Sequence, residues 1–280
     1  MSLAVTRCGD TEFRWGQKTY VMGILNVTPD SFSGDGLSGS VAASLDQAKH
    51  FEQLGVDIID VGGESTRPGS DPVDADEELR RVIPVIEALT KEISVPVSID
   101  TYRARVAKEA VKVGAHMIND VWGLKKDPEM AAVAAACNVP VIITQNQRGF
   151  SYKDLIPDLI ADLSTSVDMA LDAGIRRENI ILDPGVGFGK TAVQNLEIIS
   201  RLAELKVLEL PILLGTSRKS FIGYVLDLPA QQRVEGTAAT VAIGIAGGAD
   251  IVRVHDIAQM MRVVRMSDAV ARPGYYKAED

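Results

Sequence analysis

From residue 20 onward, short apolar runs alternate with longer stretches in which apolar residues return every three or four positions. The runs predict buried strands at Tyr20–Leu25, Ile58–Val61, Val95–Asp100, Ala115–Asn119, Pro140–Ile143, Ile180–Asp183, Pro211–Leu214 and Ile251–Val254. The stretches between them predict helices. Val41–Leu54 stops at Gly55, Ala75–Ile93 follows acidic residues, Tyr102–Val113 stops at Gly114, and Asp154–Ala173 precedes Gly174. Pro128–Cys137, Asn195–Leu205, Gly236–Ala246 and Ala258–Val270 complete the set. Before them, Met1–Lys18 reads as a decorative hairpin, with Thr11–Trp15 as a strand and Gly16–Gln17 as its turn.

Strands separated by helices give a parallel sheet. Eight such units in about 250 residues fit the closed (β/α)8 TIM barrel, here with a short N-terminal hairpin. An open doubly wound sheet is the alternative. No linker or change of composition divides the chain, so residues 1–280 read as one domain.

A barrel directs attention to the C-terminal ends of its strands and the loops that follow them. Nearly every such end here carries a carboxylate, amide or cation, among them Asn26, Asp100, Asn119, Asp183, Arg253 and His255. Strand alternation sharpens this. Val97 and Ile99 share one face and Ser98 and Asp100 the other; Val252 and Val254 leave Arg253 and His255 together. With the apolar faces against the helices, the polar faces point into the barrel mouth, where a charge needs a partner or a ligand.

The 46% hydrophobic content suffices for a large core, and the net charge of -9 argues against general nucleic-acid binding. An anionic small molecule would have to be held by a few local cations. Two cysteines set no disulfide framework, no signal peptide precedes the first strand, and no run approaches the ~18 apolar residues of a membrane span. A cytoplasmic protein without membrane partners is expected.

Local cations do occur. After Pro211–Leu214 and Gly215, Thr216 or Ser217 reads as a helix N-cap, placing Arg218 and Lys219 where a helix begins. The positive helix end disfavours cations, so the pair is either solvated at the loop or faces an anion; the polar strand ends favour the anion. A lysine there could instead form a Schiff base, aided by Arg218, but Asp100 and Asp183 would keep Lys219 protonated. The glycines of Pro184-Gly-Val-Gly-Phe-Gly-Lys-Thr191 miss both nucleotide-binding fingerprints, at Pro184 and at Lys190. They suit close approach of backbone to a flat ligand walled by Phe188, with a merely structural glycine loop as the alternative. His50, His116 and His255 lack the spacing of a zinc site.

Taken together, Asn26-Val-Thr-Pro-Asp-Ser-Phe-Ser33, Gly62-Gly-Glu-Ser-Thr-Arg-Pro-Gly69, Ser98-Ile-Asp-Thr101, Asp183-Pro-Gly-Val-Gly-Phe-Gly189, Ser217-Arg-Lys219 and Arg253-Val-His255 resemble the dihydropteroate synthase family, in family order from about Tyr20 to Ala258. The resemblance implies a homodimeric barrel that joins a pterin diphosphate to 4-aminobenzoate with Mg²⁺ as cofactor. By motif, Asp100, Asn119, Asp183 and Lys219 would hold the pterin, with Thr66 in contact. Asn26 would hold the metal, and Arg67, Arg253 and His255 would neutralise the diphosphate. Phe32, Pro68, Phe188 and Ser220 would enclose aminobenzoate. Corrinoid methyltransferases share the barrel and a pterin pocket, but Thr66-Arg67-Pro68 together with Ser217-Arg-Lys219 would not be expected there. A non-catalytic pterin binder would not need Asn26, Arg67, Arg253 and His255. Two departures stand out: Thr144-Gln145-Asn146 where many members have Met-His-Asn, and Ser33-Gly-Asp-Gly36 where Ser-Asp-Gly-Gly is common.

Overall fold

The structure, a computed structural model, describes residues 3–27, 36–64, 73–146, 151–272 and 274–275. The N-terminal hairpin pairs β1 (Thr6–Cys8) with β2 (Thr11–Phe13). Its turn is at Gly9-Asp10, with Gly9 at φ 59°, and not at Gly16-Gln17, which lies beyond β2. Nor is the hairpin decoration. Phe13 is fully buried, packs edge-on to Tyr20 at 4.8 Å, and joins Met22, Ile58, Met117 and Ile251 in one apolar cluster. Those residues come from the first halves of the barrel strands, so the hairpin plugs the barrel floor.

The chain then follows β3 (Tyr20–Asn26), α1 (Gly36–Gln53), β4 (Ile58–Gly62), α2 (Ala75–Glu92), β5 (Val97–Asp100), α3 (Ala104–Lys112), β6 (Met117–Asp120), α4 (Met130–Cys137), β7 (Val141–Thr144) and α5 (Leu155–Asp172). It continues through β8 (Ile180–Asp183), α6 (Ala192–Ser200), β9 (Leu213–Leu214), α7 (Ser220–Leu226), α8 (Val234–Ala246), β10 (Ile251–Val254) and α9 (Ile257–Ala271). The strands after the hairpin form an eight-stranded sheet in the order β8-β7-β6-β5-β4-β3-β10-β9, every pairing parallel. A parallel bridge from Leu182 to Ile212 links its two ends and closes the barrel. The doubly wound alternative is excluded.

Local chemistry sets the helix ends. Asp74 caps α2 by accepting from the Glu77 N–H at 2.7 Å, ahead of three acidic residues that suit the positive helix end. Thr191 and Gln194 form a reciprocal capping box at α6. α7 is a short helix that periodicity did not reveal. Thr216 and Ser217 do not cap it: Lys219 occupies the N-cap position without a side-chain bond.

Strand alternation divides the core. Val61, Ile99, Ile118, Ile143, Leu182 and Val252 face the helices, each burial worth ~1.5–3 kcal/mol. Ile58, Met117, Ile142, Ile181 and Ile251 face inward. One step further along each of those strands, the inward residue becomes Asp60, Asn119, Thr144, Asp183 or Arg253. The barrel is thus apolar below and polar at its mouth.

Candidate active site

Parallel register brings the inward polar residues side by side. Gly62 pairs with Asp100 and Asp100 with Asn119, while Thr144 pairs with Asp183. Arg253 reaches across from β10. Its Nε donates to Asp60 Oδ2 at 2.6 Å and its Nη2 to Asp100 Oδ2 at 2.7 Å. Asn119 Nδ2 donates to the same Asp60 oxygen at 2.9 Å, leaving its own oxygen as an acceptor. Asp60 is fully buried and was absent from the expected site; its inward parity with Ile58 was the signal that could have found it.

Two glycines keep space open between these groups. A β-carbon at Gly62 would lie 3.7 Å from Asp100 Oδ2 and 3.8 Å from Asn26 Oδ1. One at Gly215 would lie 3.8 Å from Lys219 Nζ, 3.8 Å from Arg253 Cβ and 4.0 Å from Asp183 Oδ2. Asn26 and Asp100 therefore flank one side of the slot, and Lys219, Arg253 and Asp183 the other. Asp183 Oδ1 accepts from the Gly185 N–H at 2.7 Å.

Lys219 donates to the Val186 carbonyl, and its ammonium lies 4.7 Å from the centre of the Phe188 ring. Arg218 does not assist it. Arg218 adopts φ 58° and turns away to Asp256, with Nε 3.0 Å from Oδ2. Thr216 accepts from the Thr240 hydroxyl at 2.9 Å, and Ser217 Oγ accepts from the His255 N–H at 3.1 Å and lies 2.9 Å from its Nδ1. These contacts set the loop geometry and fix His255 at the rim. Ser220, the first residue of α7, is exposed.

Burial dominates the electrostatics. It pushes the Asp100 carboxyl up to about 7, against the opposing pull of Arg253 and with reinforcement from Asp60. Burial also raises Asp183, although Lys219 and the Gly185 N–H draw it back. The Lys219 ammonium falls to about 8, with burial and then Arg253 outweighing Asp183 and Asp100. The two carboxylates were expected to hold Lys219 protonated; burial works against them, yet at about 8 the group is still mostly an ammonium at pH 7.

Lys190, read in the sequence only as a failed fingerprint, lies inside the glycine loop. Its ammonium donates to Gln145 Oε1 at 2.5 Å, to the Gly185 carbonyl at 2.9 Å and to the Phe188 carbonyl at 3.3 Å. The residue at 145 thereby ties the end of β7 to the loop that presents Phe188. His50 is exposed on α1, and His116 accepts from the Val97 N–H at 3.2 Å. Phe32, Thr66, Arg67 and Pro68, with Asp35, lie outside the described residues.

The slot offers acceptors from Asp100, Asp183 and Asn119 Oδ1 and cationic donors from Lys219 and Arg253. That pattern suits a flat heterocycle with several N–H groups and an anionic substituent.

Comparison with known proteins agrees with the geometry. The family described as pterin binding enzyme matches residues 22–255. A dihydropteroate synthase of Bacillus subtilis is 55% identical over 92% of this chain and 90% of its own. A Clostridium difficile dihydropteroate synthase, solved in the presence of pteroic acid, superposes with a TM-score of 0.91 at 53% identity, covering 93% of this chain and 99% of that one. A Xanthomonas albilineans dihydropteroate synthase with 4-aminobenzoic acid gives 0.90 at 37% identity, covering 96% and 98%. The chain belongs to the pterin binding enzyme family, among the dihydropteroate synthases, the transferases of folate synthesis.

Proposed function

We propose that this chain joins 6-hydroxymethyl-7,8-dihydropterin diphosphate to 4-aminobenzoate, releasing diphosphate and forming 7,8-dihydropteroate. The observation that carries the reading is the convergence of Asp100, Asn119 and Asp183 on a slot closed by Arg253 and Lys219. Asp183 accepts pterin N–H groups, Asn119 presents its free oxygen, and Lys219 donates to the ring, with Thr66 in contact by resemblance. Charge-assisted bonds of this kind contribute ~1.5–3 kcal/mol each.

The reaction is dissociative. The bond from the methylene carbon to the diphosphate oxygen breaks, and its electron pair leaves with diphosphate. The cation left behind delocalises into the pterin. The lone pair of the neutral arylamine then forms the carbon–nitrogen bond, and the displaced proton passes to solvent. Asp100 stabilises the cation, whose charge draws the carboxyl back towards its ionised form. Arg253, His255 and Arg67 neutralise the leaving group. Phe188, Ser220, Phe32 and Pro68 enclose aminobenzoate.

Asn26 fits a magnesium role. Its Oδ1 is a hard neutral donor beside the slot, and the described residues contain no group of three His, Cys, Asp or Glu able to cage a metal. That matches an ion held mainly by substrate phosphates and water. Bound there, Mg²⁺ supplies positive charge to the diphosphate oxygens.

We further propose a cytoplasmic homodimer. Tyr224 and Val225 of α7, Val193 of α6 and Ile243 of α8 are exposed apolar residues on three mutually packed helices, which supports association through that side. Free Cys8 and Cys137 suit a reducing compartment.

The test is incubation of the protein with the pterin diphosphate, Mg²⁺ and 4-aminobenzoate. Equal release of diphosphate and dihydropteroate is expected. Absence of diphosphate would sink the reading, and activity only with methyltetrahydrofolate and a corrinoid would replace it with methyl transfer.

A further inference from the structure

We propose that Thr144 binds the heterocycle, its hydroxyl hydrogen-bonding the ring edge received by Asn119 and Asp183; this rests on the pterin reading of the slot. Three observations converge on it. First, Val141 and Ile143 of β7 pack on the helix side while Ile142 faces the barrel interior, so Thr144 also faces inward, one step nearer the mouth. Second, β7 lies between β6 and β8, with Asn119 beside Ile142 and Asp183 beside Thr144. Third, the residue is 1% exposed and its Oγ1 has no hydrogen-bond partner among the described residues.

A buried hydroxyl without a partner is destabilising, and native proteins rarely retain one without reason. Its chemistry complements its neighbours. Asp183 offers only acceptor oxygens when ionised, and one of the two Asn119 amide N–H groups is already committed to Asp60. Thr144 adds a hydroxyl that both donates and accepts beside the carboxylate. A ring edge alternating N–H groups with a ring nitrogen or carbonyl oxygen needs such a group beside the carboxylate. Thr144 is thereby assigned as a specificity-determining residue.

Thr144→Val removes the hydroxyl with little change of shape, and Thr144→Ser restores it. Binding of the pterin diphosphate is measured by calorimetry, together with the KM for 4-aminobenzoate and the melting temperature without ligand. The expected result is about 3- to 10-fold weaker pterin binding for Thr144→Val, the size of one neutral hydrogen bond. Thr144→Ser should recover most of it, with the aminobenzoate KM unchanged. Without ligand, Thr144→Val should melt no lower than the parent, because it replaces an unpaired polar group with an apolar one. Unchanged pterin affinity in Thr144→Val would overturn the proposal, as would a lower unliganded melting temperature accompanied by unchanged affinity. If the parent protein does not bind the pterin diphosphate, the slot reading itself falls and Thr144 falls with it.

Discussion

Asp60 and Arg253 meet at 2.6 Å on the inner wall of the barrel, and the same Asp60 oxygen also takes the Asn119 amide at 2.9 Å. One fully buried carboxylate thus holds two groups with different proposed tasks, a cation for the leaving group and an amide for the heterocycle. Removing one partner of a buried ion pair costs ~3–5 kcal/mol. Asp60→Ala should therefore lower the melting temperature by about 6–20 °C, taking ~2–4 °C per kcal/mol for a protein of roughly this size. Asp60→Asn keeps the shape and should lose less stability while still weakening both pterin binding and turnover. Calorimetry on the two variants checks this, and Asp60→Asn with unaltered kinetics would remove Asp60 from the site's support.

The pH dependence follows from two opposed shifts. Burial raises Asp100 to about 7, so its carboxylate is lost as the pH falls through that value. Lys219 is lowered to about 8, so its ammonium is lost as the pH rises through that value. If Asp100 acts as the anion and Lys219 as the cation, kcat/KM for the pterin diphosphate is a narrow bell with limbs near 7 and 8. Asp100→Asn should abolish the acid limb while lowering the maximum. An acid limb that persists in that variant would assign it to another residue.

Lys219→Ala removes the ammonium that touches Val186 and Phe188 together. Pterin affinity and turnover should fall together, kcat/KM by ~10²–10³, the scale of one preorganised electrostatic donor. Retained binding with a retained rate would take Lys219 out of the site. Arg253→Ala should weaken a pterin bearing diphosphate more than one lacking it, because only the former places an anion against the guanidinium. Equal loss for both would limit Arg253 to its pairing with Asp60 and Asp100.

The barrel was legible because each strand is a compact apolar run and each helix an amphipathic one. β5 begins at Val97 and β6 at Met117, both later than the apolar runs suggest. Pro96 lacks the N–H a ladder requires, and its carbonyl alone joins the sheet by accepting from Ile59. α7 showed only through the cap signal that precedes it, because it is seven residues long and interrupted by Gly223, too short to show a period. The inward polarity of Ser98, Asp100, Arg253 and His255 could be read from alternation. Which cation meets which carboxylate could not, because that depends on barrel closure, which brings β10 within reach of β4 and β5. For the same reason Arg218, adjacent to Lys219 in sequence, ends on Asp256 in space.

Outside the slot, Arg103 is the partner of a second buried charge. It bonds Glu78, which is 1% exposed, and meets Glu64 at 2.7 Å. Burial raises the Glu78 carboxyl above its usual range, even with the Thr101 and Arg103 bonds pulling it down. Arg103→Ala would leave that carboxylate without its cation and should cost ~3 kcal/mol or more. A thermal melt at neutral pH checks it. Arg103→Ala together with Glu78→Gln should recover much of the loss, since the most deeply buried charge is then gone and only the less buried Glu64 loses its cation.

Gly185 ties the loop after β8 to the end of β7. Its φ is 68°, and a β-carbon there would overlap the Gln145 carbonyl oxygen, which is backbone and cannot swing aside. Gly185→Ala therefore carries two penalties: the left-handed conformation, ~1–2 kcal/mol for a residue with a side chain, and the overlap itself. Gly174, at φ 94° with no atom of the described residues within 4 Å of a built β-carbon, isolates the first penalty. Gly174→Ala should lower the melting temperature by a few degrees, ~2–4 °C per kcal/mol, and leave kinetics intact. Gly185→Ala has to push the loop off β7, stretching the Lys190 bonds to Gln145 and Gly185 and shifting Phe188 relative to Lys219. Its kcat/KM should fall at least ~10-fold, the rate penalty of misplacing a positioning group by a fraction of an ångström to an ångström. Equal behaviour of the two alanine variants would show that this loop need not sit against β7 for the enzyme to work.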